Sequence, residues 1–186
     1  MLRVDDATLG RDAGRVEGAP RAELGCLHEL FERQADARGE AVALVCGRLS
    51  LSYSDLELRA NRLANYLRQL GIGRGALVGI AIDRSELPII AVLACLKAGA
   101  AYVPIDPAHP DERIRFIIEE AEIAALLTES AQLARMSGLF GGLAIALDDA
   151  PALAAASAAR LSWADTGLSP HDLCYVIYTS GTTGRP

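Results

Sequence analysis

Thr179, Ser180, Gly181, Thr182, Thr183 and Gly184 place four hydroxyls and two glycines within six residues, in the run YVIYTSGTTGRP. Glycine carries no Cβ, so the backbone at Gly181 and Gly184 can approach a ligand closely. Backbone N–H groups and hydroxyl donors in such a loop form a concave nest suited to phosphate oxygens. This is not a Walker loop: Gly181 and Gly184 stand too close together and no Lys-Ser/Thr pair follows. Taken alone, a tight hydroxyl-rich turn between two elements is the simpler reading. Position brings the two readings level. The loop follows an apolar run, Tyr175–Tyr178, and open α/β sheets bind ligands beyond the carboxyl ends of their strands.

The other residues capable of chemistry read as structural. Lys97 is the sole lysine among 18 basic residues, an arginine bias that reflects genome composition rather than a function. It ends a helical run, as a cation favourably placed against the helix dipole. His28 and His109 have no partner at metal-ligand or triad spacing; His28 reads as a surface or capping residue and His109 as part of a turn. Asp106, between Ile105 and Pro107, reads as a turn former. Glu119, Glu120 and Glu122 read as a solvated helix face, and Trp163 lies in a connector without an assigned role. Cys26, Cys46, Cys95 and Cys174 are scattered, with no CxxC or Cys/His spacing, which predicts buried free thiols in a reducing cytoplasm.

A loop of this kind needs a sheet behind it. Residues 1–22 are polar and aperiodic and read as a flexible tail or linker. A helix is predicted from Leu27, with Leu27, Leu30 and Phe31 on one face. Val42–Val45 reads as a buried strand before a turn at Gly47-Arg48. LSYSDLELRANRLANYLRQLG is the clearest helix. Ser54 and Glu57 are predicted to form its capping box; Leu56, Leu63, Leu67 and Leu70 form its apolar stripe, and Gly71 is its left-handed stop. Leu77–Ile82 reads as a strand buried on both faces. ELPIIAVLACLKAG follows as a helix with Pro88 in its first turn and Gly99 at its end.

Three prolines make YVPIDPAHP extended or turning. DERIRFIIEEAE is an amphipathic helix, followed by a strand at AALLT, a weaker helix, a strand near LAIAL and an Ala-rich connector at 151–160. LCYVIY is the last predicted strand. Strands alternating with helices predict an α/β fold: a mostly parallel sheet with covering helices.

Composition narrows the class. Of 186 residues, 51% are hydrophobic and 23% charged, which is globular rather than disordered. A net charge of −6 offers no basic footprint, so nucleic acid is not an expected partner. Charges in MLRVDDATLGRD occupy the place of a signal peptide's apolar core, and runs such as IIAVLACL fall short of a membrane span. A soluble, cytoplasmic protein without a membrane partner is expected.

YVIYTSGTTGRP resembles the phosphate-binding signature of the AMP-forming adenylating enzymes: acyl-CoA synthetases, luciferases and the adenylation domains of nonribosomal peptide synthetases. In that family the run continues into Lys-Gly. Three further stretches are similar to the peptide-synthetase branch: LHELFERQADARGEAVALV, LSYSDLELRANRLANYLR and LKAGAAYVPIDPAHPDERI. They fall in the family's order and spacing, and the resemblance covers residues 24–186. Glu57 stands where Asn is usual, His109 replaces a common Tyr, and ARGEAV lacks a common Thr-Pro-Asp. None of these touches the loop.

The resemblance implies that residues 23–186 are the incomplete N-terminal part of an adenylation domain. The parent would activate an amino acid with ATP and Mg²⁺ and pass it to the phosphopantetheine thiol of a peptidyl carrier domain, beside a condensation domain. Thr179, Ser180, Gly181, Thr182, Thr183 and Gly184 would bind the ATP phosphates. The Mg²⁺ ligand, the acid pocket and the catalytic lysine would lie outside this chain, which alone would be inactive. Two alternatives stand beside this expectation: a freestanding acyl- or aryl-acid ligase using coenzyme A, and a noncatalytic nucleotide-binding module.

Overall fold

Helix α1 (Leu27–Arg38) leads into a hairpin of β1 (Val42–Cys46) and β2 (Leu49–Ser52), then helix α2 (Tyr53–Gln69), in the computed structural model, which describes residues 25–179. Strands and helices then alternate: β3 (Leu77–Ile80), α3 (Leu87–Ala98), β4 (Ala101–Pro104), α4 (Asp111–Glu120), β5 (Ala125–Thr128), α5 (Ser130–Leu139) and β6 (Leu143–Ala146). Two short helices, α6 (Pro151–Ala155) and α7 (Trp163–Thr166), complete the described elements. The predicted 1–22 tail lies outside the described residues.

Strands β3 to β6 form one parallel sheet in the order β4-β3-β5-β6. Its side chains alternate between two cores. Val78, Ile80, Ala125, Leu127 and Ile145 pack against α2 and α3, while Val103 and Leu126 pack against α4 and α5. Both faces are therefore dry, as a parallel sheet requires. The expected α/β class and the Leu77 strand hold, although β3 stops at Ile80. Ala81 keeps one more sheet-type bond, its N–H donating to Leu127 O at 2.8 Å.

Helix α2 buries Leu56, Leu63 and Leu67, the last two with 0% exposure, whereas Leu70 is exposed at the helix end. Gly71 (φ 79°) and Gly99 (φ 89°) both adopt the left-handed conformation that ends α2 and α3.

Several local expectations are corrected. The α2 capping box is Ser52 with Asp55, not Ser54 with Glu57: Asp55 N–H donates to Ser52 Oγ at 3.1 Å, and Ser52 N–H donates to Asp55 Oδ2 at 3.3 Å. The hairpin delivers the chain in extended form as far as Ser52, so helical geometry starts at Tyr53. Val42–Val45 is a strand but not a buried one, with Val42 61% and Val45 67% exposed. Among the described residues it pairs only with β2, outside the main sheet. Leu27 and Leu30 face solvent, and α1 turns Phe31, Ala35 and His28 inward instead, so His28 is buried rather than a surface residue. Only Cys95 among the four free thiols is buried; its pKa is pushed up to about 12 by burial, which leaves it inert.

The turn assignments hold. Ala108 N–H donates to Asp106 Oδ1 at 2.8 Å, and His109 N–H donates to Asp106 O at 3.1 Å. Glu119, Glu120 and Glu122 are exposed. Among the described residues no helix is long and apolar enough to cross a membrane.

Candidate functional site

Beyond β4 the sheet acquires one more partner. Tyr102 N–H donates to Cys174 O at 3.0 Å, and Val176 N–H donates to Tyr102 O at 2.9 Å, a single parallel bridge centred on Tyr175. The run expected as a buried strand is thus an edge segment with one bridge. Tyr175 and Ile177 are more than half exposed or at half, while Val176 and Tyr178 pack on the α4 side of the sheet. The Tyr102 and Tyr175 rings lie 5.7 Å apart, and Tyr178 meets Phe116 edge-on at 6.3 Å. An edge has one neighbour rather than two, so half its surface stays wet.

Because the bridge is parallel, the segment leaves the sheet at the same end as β4. Continuing the Tyr102–Tyr175 register puts Thr179 level with Asp106, and Thr179 is exposed there. Ser180, Gly181, Thr182, Thr183 and Gly184 lie outside the described residues.

At this carboxyl end a cleft of about 490 Å³ opens between the ends of β3 and β4. Its polar lining is Asp83, Arg84, Asp106 and His109, over Ile82, Val92 and Tyr102. The connection from β3 leads to α3 on one face and that from β4 to α4 on the other, and the strand order reverses between β3 and β5. The cleft therefore lies beside the topological switch point, beyond the strand carboxyl ends where open α/β sheets bind ligands.

Arg135, on α5, shapes this rim. Its guanidinium donates to Pro107 O at 2.6 Å, to His109 O at 2.9 Å and to Asp111 Oδ1 at 2.6 Å. Three prolines leave the 104–110 turn short of internal N–H donors, and one arginine supplies bonds from outside. A second cavity, about 390 Å³, lies between Arg59, Arg62, Ile90 and Leu153; neither cavity is lined by the edge segment itself, but the first borders its partner Tyr102. Among the described residues, no group of three or more His, Cys, Asp or Glu side chains is placed to hold a metal ion.

Lys97 stands in the last turn of α3, where a cation suits the helix dipole, but it also does more. Its side chain is 2% exposed and ion-paired with Glu32 and Glu57. Lys97 Nζ lies 3.1 Å from Glu57 Oε1 and 3.0 Å from Oε2, the first contact alone having hydrogen-bond geometry. Arg160 joins from the far end of the chain, donating through Nε to Glu57 Oε1 at 2.6 Å and pairing with Asp36 at 2.9 Å. Burial alone would raise the Glu57 pKa, but hydrogen bonds from Arg160 and Lys97 outweigh it and hold the carboxyl below 4.5. Glu57, the position where the resemblance departs from Asn, is thus the hub of a buried charge cluster.

The cluster belongs to a larger arrangement. Residues 157–172 run back across α1 and α2, tied by polar side chains to backbone oxygens. Asn61 Nδ2 donates to Ala158 O at 3.0 Å, Asn65 Nδ2 to Ala159 O at 2.8 Å and Arg68 to Asp165 O at 2.9 Å. Trp163 Nε1 donates to Glu29 Oε1 at 2.5 Å, which gives the tryptophan a structural role the sequence did not suggest. Arg74 grips Asp172 at the root of the edge segment. Sequence reasoning missed Arg135, Arg160 and Arg74 alike. Their acidic partners lie 24 to 124 positions away, so no local spacing signals them.

The model of the AMP-binding enzyme family matches residues 31–186. This chain belongs to that family. Over 161 residues it is 44% identical to tyrocidine synthase 3 of Brevibacillus parabrevis, covering 86% of this chain and 2% of the relative. Tyrocidine synthase 1 of the same organism is 41% identical over 169 residues, covering 90% of this chain and 15% of the relative. Malpinin synthetase of Mortierella alpina is 41% identical over 187 residues, spanning 100% of this chain and 2% of that one.

Among solved structures, the nonribosomal peptide synthetase FmoA3 with bound α-methyl-L-serine-AMP superposes with a TM-score of 0.77 at 34% identity, over 84% of this chain and 17% of that chain. VinN in complex with L-aspartate has the same fold, with a TM-score of 0.76 at 21% identity over 87% of this chain. The chain therefore spans a small part of the proteins it resembles.

Proposed function

We propose that residues 23–186 are the N-terminal part of an adenylation domain in a nonribosomal peptide synthetase, preceded by a tail at 1–22, and that the parent works in the cytoplasm. The parent activates an amino acid with ATP and loads it onto a phosphopantetheine carrier domain, with a condensation domain as neighbour. The observation that carries this reading is the edge segment. In a chain of the AMP-binding family, it is bridged in parallel to Tyr102 and so runs toward the carboxyl end of the sheet, where Asp106 lines the cleft. The peptide synthetases at 41–44% identity support an amino acid rather than a fatty acid as substrate.

The chemistry explains the loop. A carboxylate is a poor electrophile because its leaving group would be oxide. Its oxygen attacks the α-phosphorus of ATP, the α–β bridging P–O bond breaks, and pyrophosphate leaves with the electron pair. The carrier thiolate then attacks the acyl carbon and AMP departs. In the first step, charge grows on the departing phosphates, and preorganised donors stabilise it. Thr179, Ser180, Thr182 and Thr183 supply hydroxyls and Gly181 and Gly184 supply accessible N–H groups, a donor set that fits phosphate oxygens. Mg²⁺, held by a ligand outside this chain, would share that charge.

In the full-length parent, replacing Thr182 and Thr183 together by Ala is expected to slow amino-acid-dependent pyrophosphate exchange strongly at unchanged melting temperature. One preorganised donor is worth about 10²–10³ in rate, and two donors to the same group add less than fully. Near-normal exchange would reduce the loop to an ordinary turn.

A further inference from the structure

The edge segment poses a problem of register. Leu173, Cys174, Tyr175, Val176, Ile177 and Tyr178 are apolar throughout, so neither face is marked as the buried one. A slip of one residue would exchange the inward set for the outward set. Strands usually resist this because the wrong set is polar; here both sets are greasy, and a slip would cost little. Two backbone hydrogen bonds to Tyr102 hold the segment, and any neighbouring register could make an equivalent pair. Something outside the strand must choose.

Arg74 sits in the tight turn before β3, where Ala76 N–H donates to Gly73 O at 2.9 Å and Ala101 N–H to Ala76 O at 3.0 Å. That turn is anchored to the amino ends of β3 and β4. From it Arg74 reaches Asp172 with two contacts, a hydrogen bond from Nη2 to Oδ1 at 2.9 Å and an ion-pair contact of Nε with Oδ2 at 2.8 Å. Asp172 Oδ2 also accepts from Ser169 N–H at 2.8 Å, which fixes the backbone just before the segment. The hydrogen bond from Arg74 holds the Asp172 carboxyl below its ordinary value of 3.8, so the pair is charged near neutrality.

A hydrogen bond and a second charged contact from one planar guanidinium constrain Asp172 in direction as well as distance, and Cys174 follows two residues later. We propose that the Arg74–Asp172 ion pair is a register pin: it selects which residue of the apolar run faces Tyr102, and so which residue emerges at the carboxyl end of the sheet. Arg74 and Asp172 are positioning residues, acting through the edge segment. The consequence for ATP rests on the phosphate-loop reading above; the register itself does not.

The test separates the two. In the 186-residue chain, Arg74→Ala is expected to speed hydrogen exchange at the Val176 amide about two- to fivefold, the size of a surface ion pair, with the melting transition unmoved. Arg74→Lys, which keeps the charge but loses the planar guanidinium, should fall between. The charge swap Arg74→Asp with Asp172→Arg should recover protection relative to either single change. In the full-length parent, Arg74→Ala should raise KM for ATP more than it lowers kcat.

Unchanged Val176 exchange in Arg74→Ala, or a swap no better than the single variants, overturns the pin whatever the loop binds. Altered Val176 exchange with normal KM for ATP keeps the pin and counts against the phosphate reading. Should Arg74→Ala lower the melting temperature, the Lys variant and the swap carry the test, and failure of both to restore protection overturns it.

Discussion

Strands β1 and β3 are nearly the same object in sequence, VALVC against LVGI, and opposite objects in the fold. Val78 in β3 has 0% exposure, while Val45 in β1 has 67%. Strand β3 is flanked by two parallel neighbours and covered by helices on both faces. Strand β1 has one antiparallel partner and one open face. The edge segment 173–179 falls between them, with one neighbour and one covered face. What a short apolar run becomes depends on its partners more than on its composition. The centre of this molecule is held by apolar packing, and its rim by directed polar contacts.

Leu67→Ala in α2 should have the largest effect. Leu67 is fully enclosed, and the cavity should cost about 3–4 kcal/mol, read as a loss of melting temperature or denaturant midpoint. A loss under about 1 kcal/mol would mean that the centre is as loosely packed as the rim.

Lys97→Met comes next, because it places a polar contact of the rim's kind inside the centre. Removing the ammonium leaves Glu32 and Glu57 short of a buried cation, at a cost of about 2–3 kcal/mol, softened because Arg160 still bonds Glu57. A neutral outcome would show the cluster to be replaceable by apolar packing.

The direct comparison uses one substitution in two places. Val78→Thr should cost about 1–3 kcal/mol, because the hydroxyl enters a dry core without a partner. Val45→Thr should stay within about 0.5 kcal/mol, since the residue already faces water. Equal costs at both sites would erase the distinction drawn here.

The smallest effect is a pH dependence at the junction of α1 and α3. Burial lowers the His28 pKa from its ordinary 6.5, with Lys97 adding to the shift and Glu32 opposing it. The unfolded chain therefore takes up the proton first as pH falls, so stability is full above about 6.5 and declines below it until the folded chain also titrates. His28→Gln should flatten the melting temperature between pH 7 and 5; an unchanged slope would place the titrating group elsewhere.

The centre was largely legible in the sequence because its signals are local and periodic. The Leu56–Leu63–Leu67 stripe, Gly71, Gly99, the Leu77 strand and the amphipathic helix at Asp111–Glu120 each follow from residues a few positions apart. The hydroxyl-glycine motif Thr179–Gly184 suggests phosphate chemistry on similarly local grounds, but Ser180 to Gly184 lie outside the described residues. Burial of Lys97 and His28, the hub role of Glu57 and the use of Ser52 rather than Ser54 were not legible.

By itself the sequence determined the alternation of strands and helices, the α2 stripe and the left-handed stops at Gly71 and Gly99, since hydrophobic period and turn chemistry act over a few residues. Tertiary structure alone decided which apolar runs are covered and where the edge segment docks. It also decided which distant arginines, Arg74, Arg135 and Arg160, hold the rim in place. Coverage depends on what lies on either side of a strand, and an ion pair on where two remote side chains converge; both quantities exist only once the chain has folded.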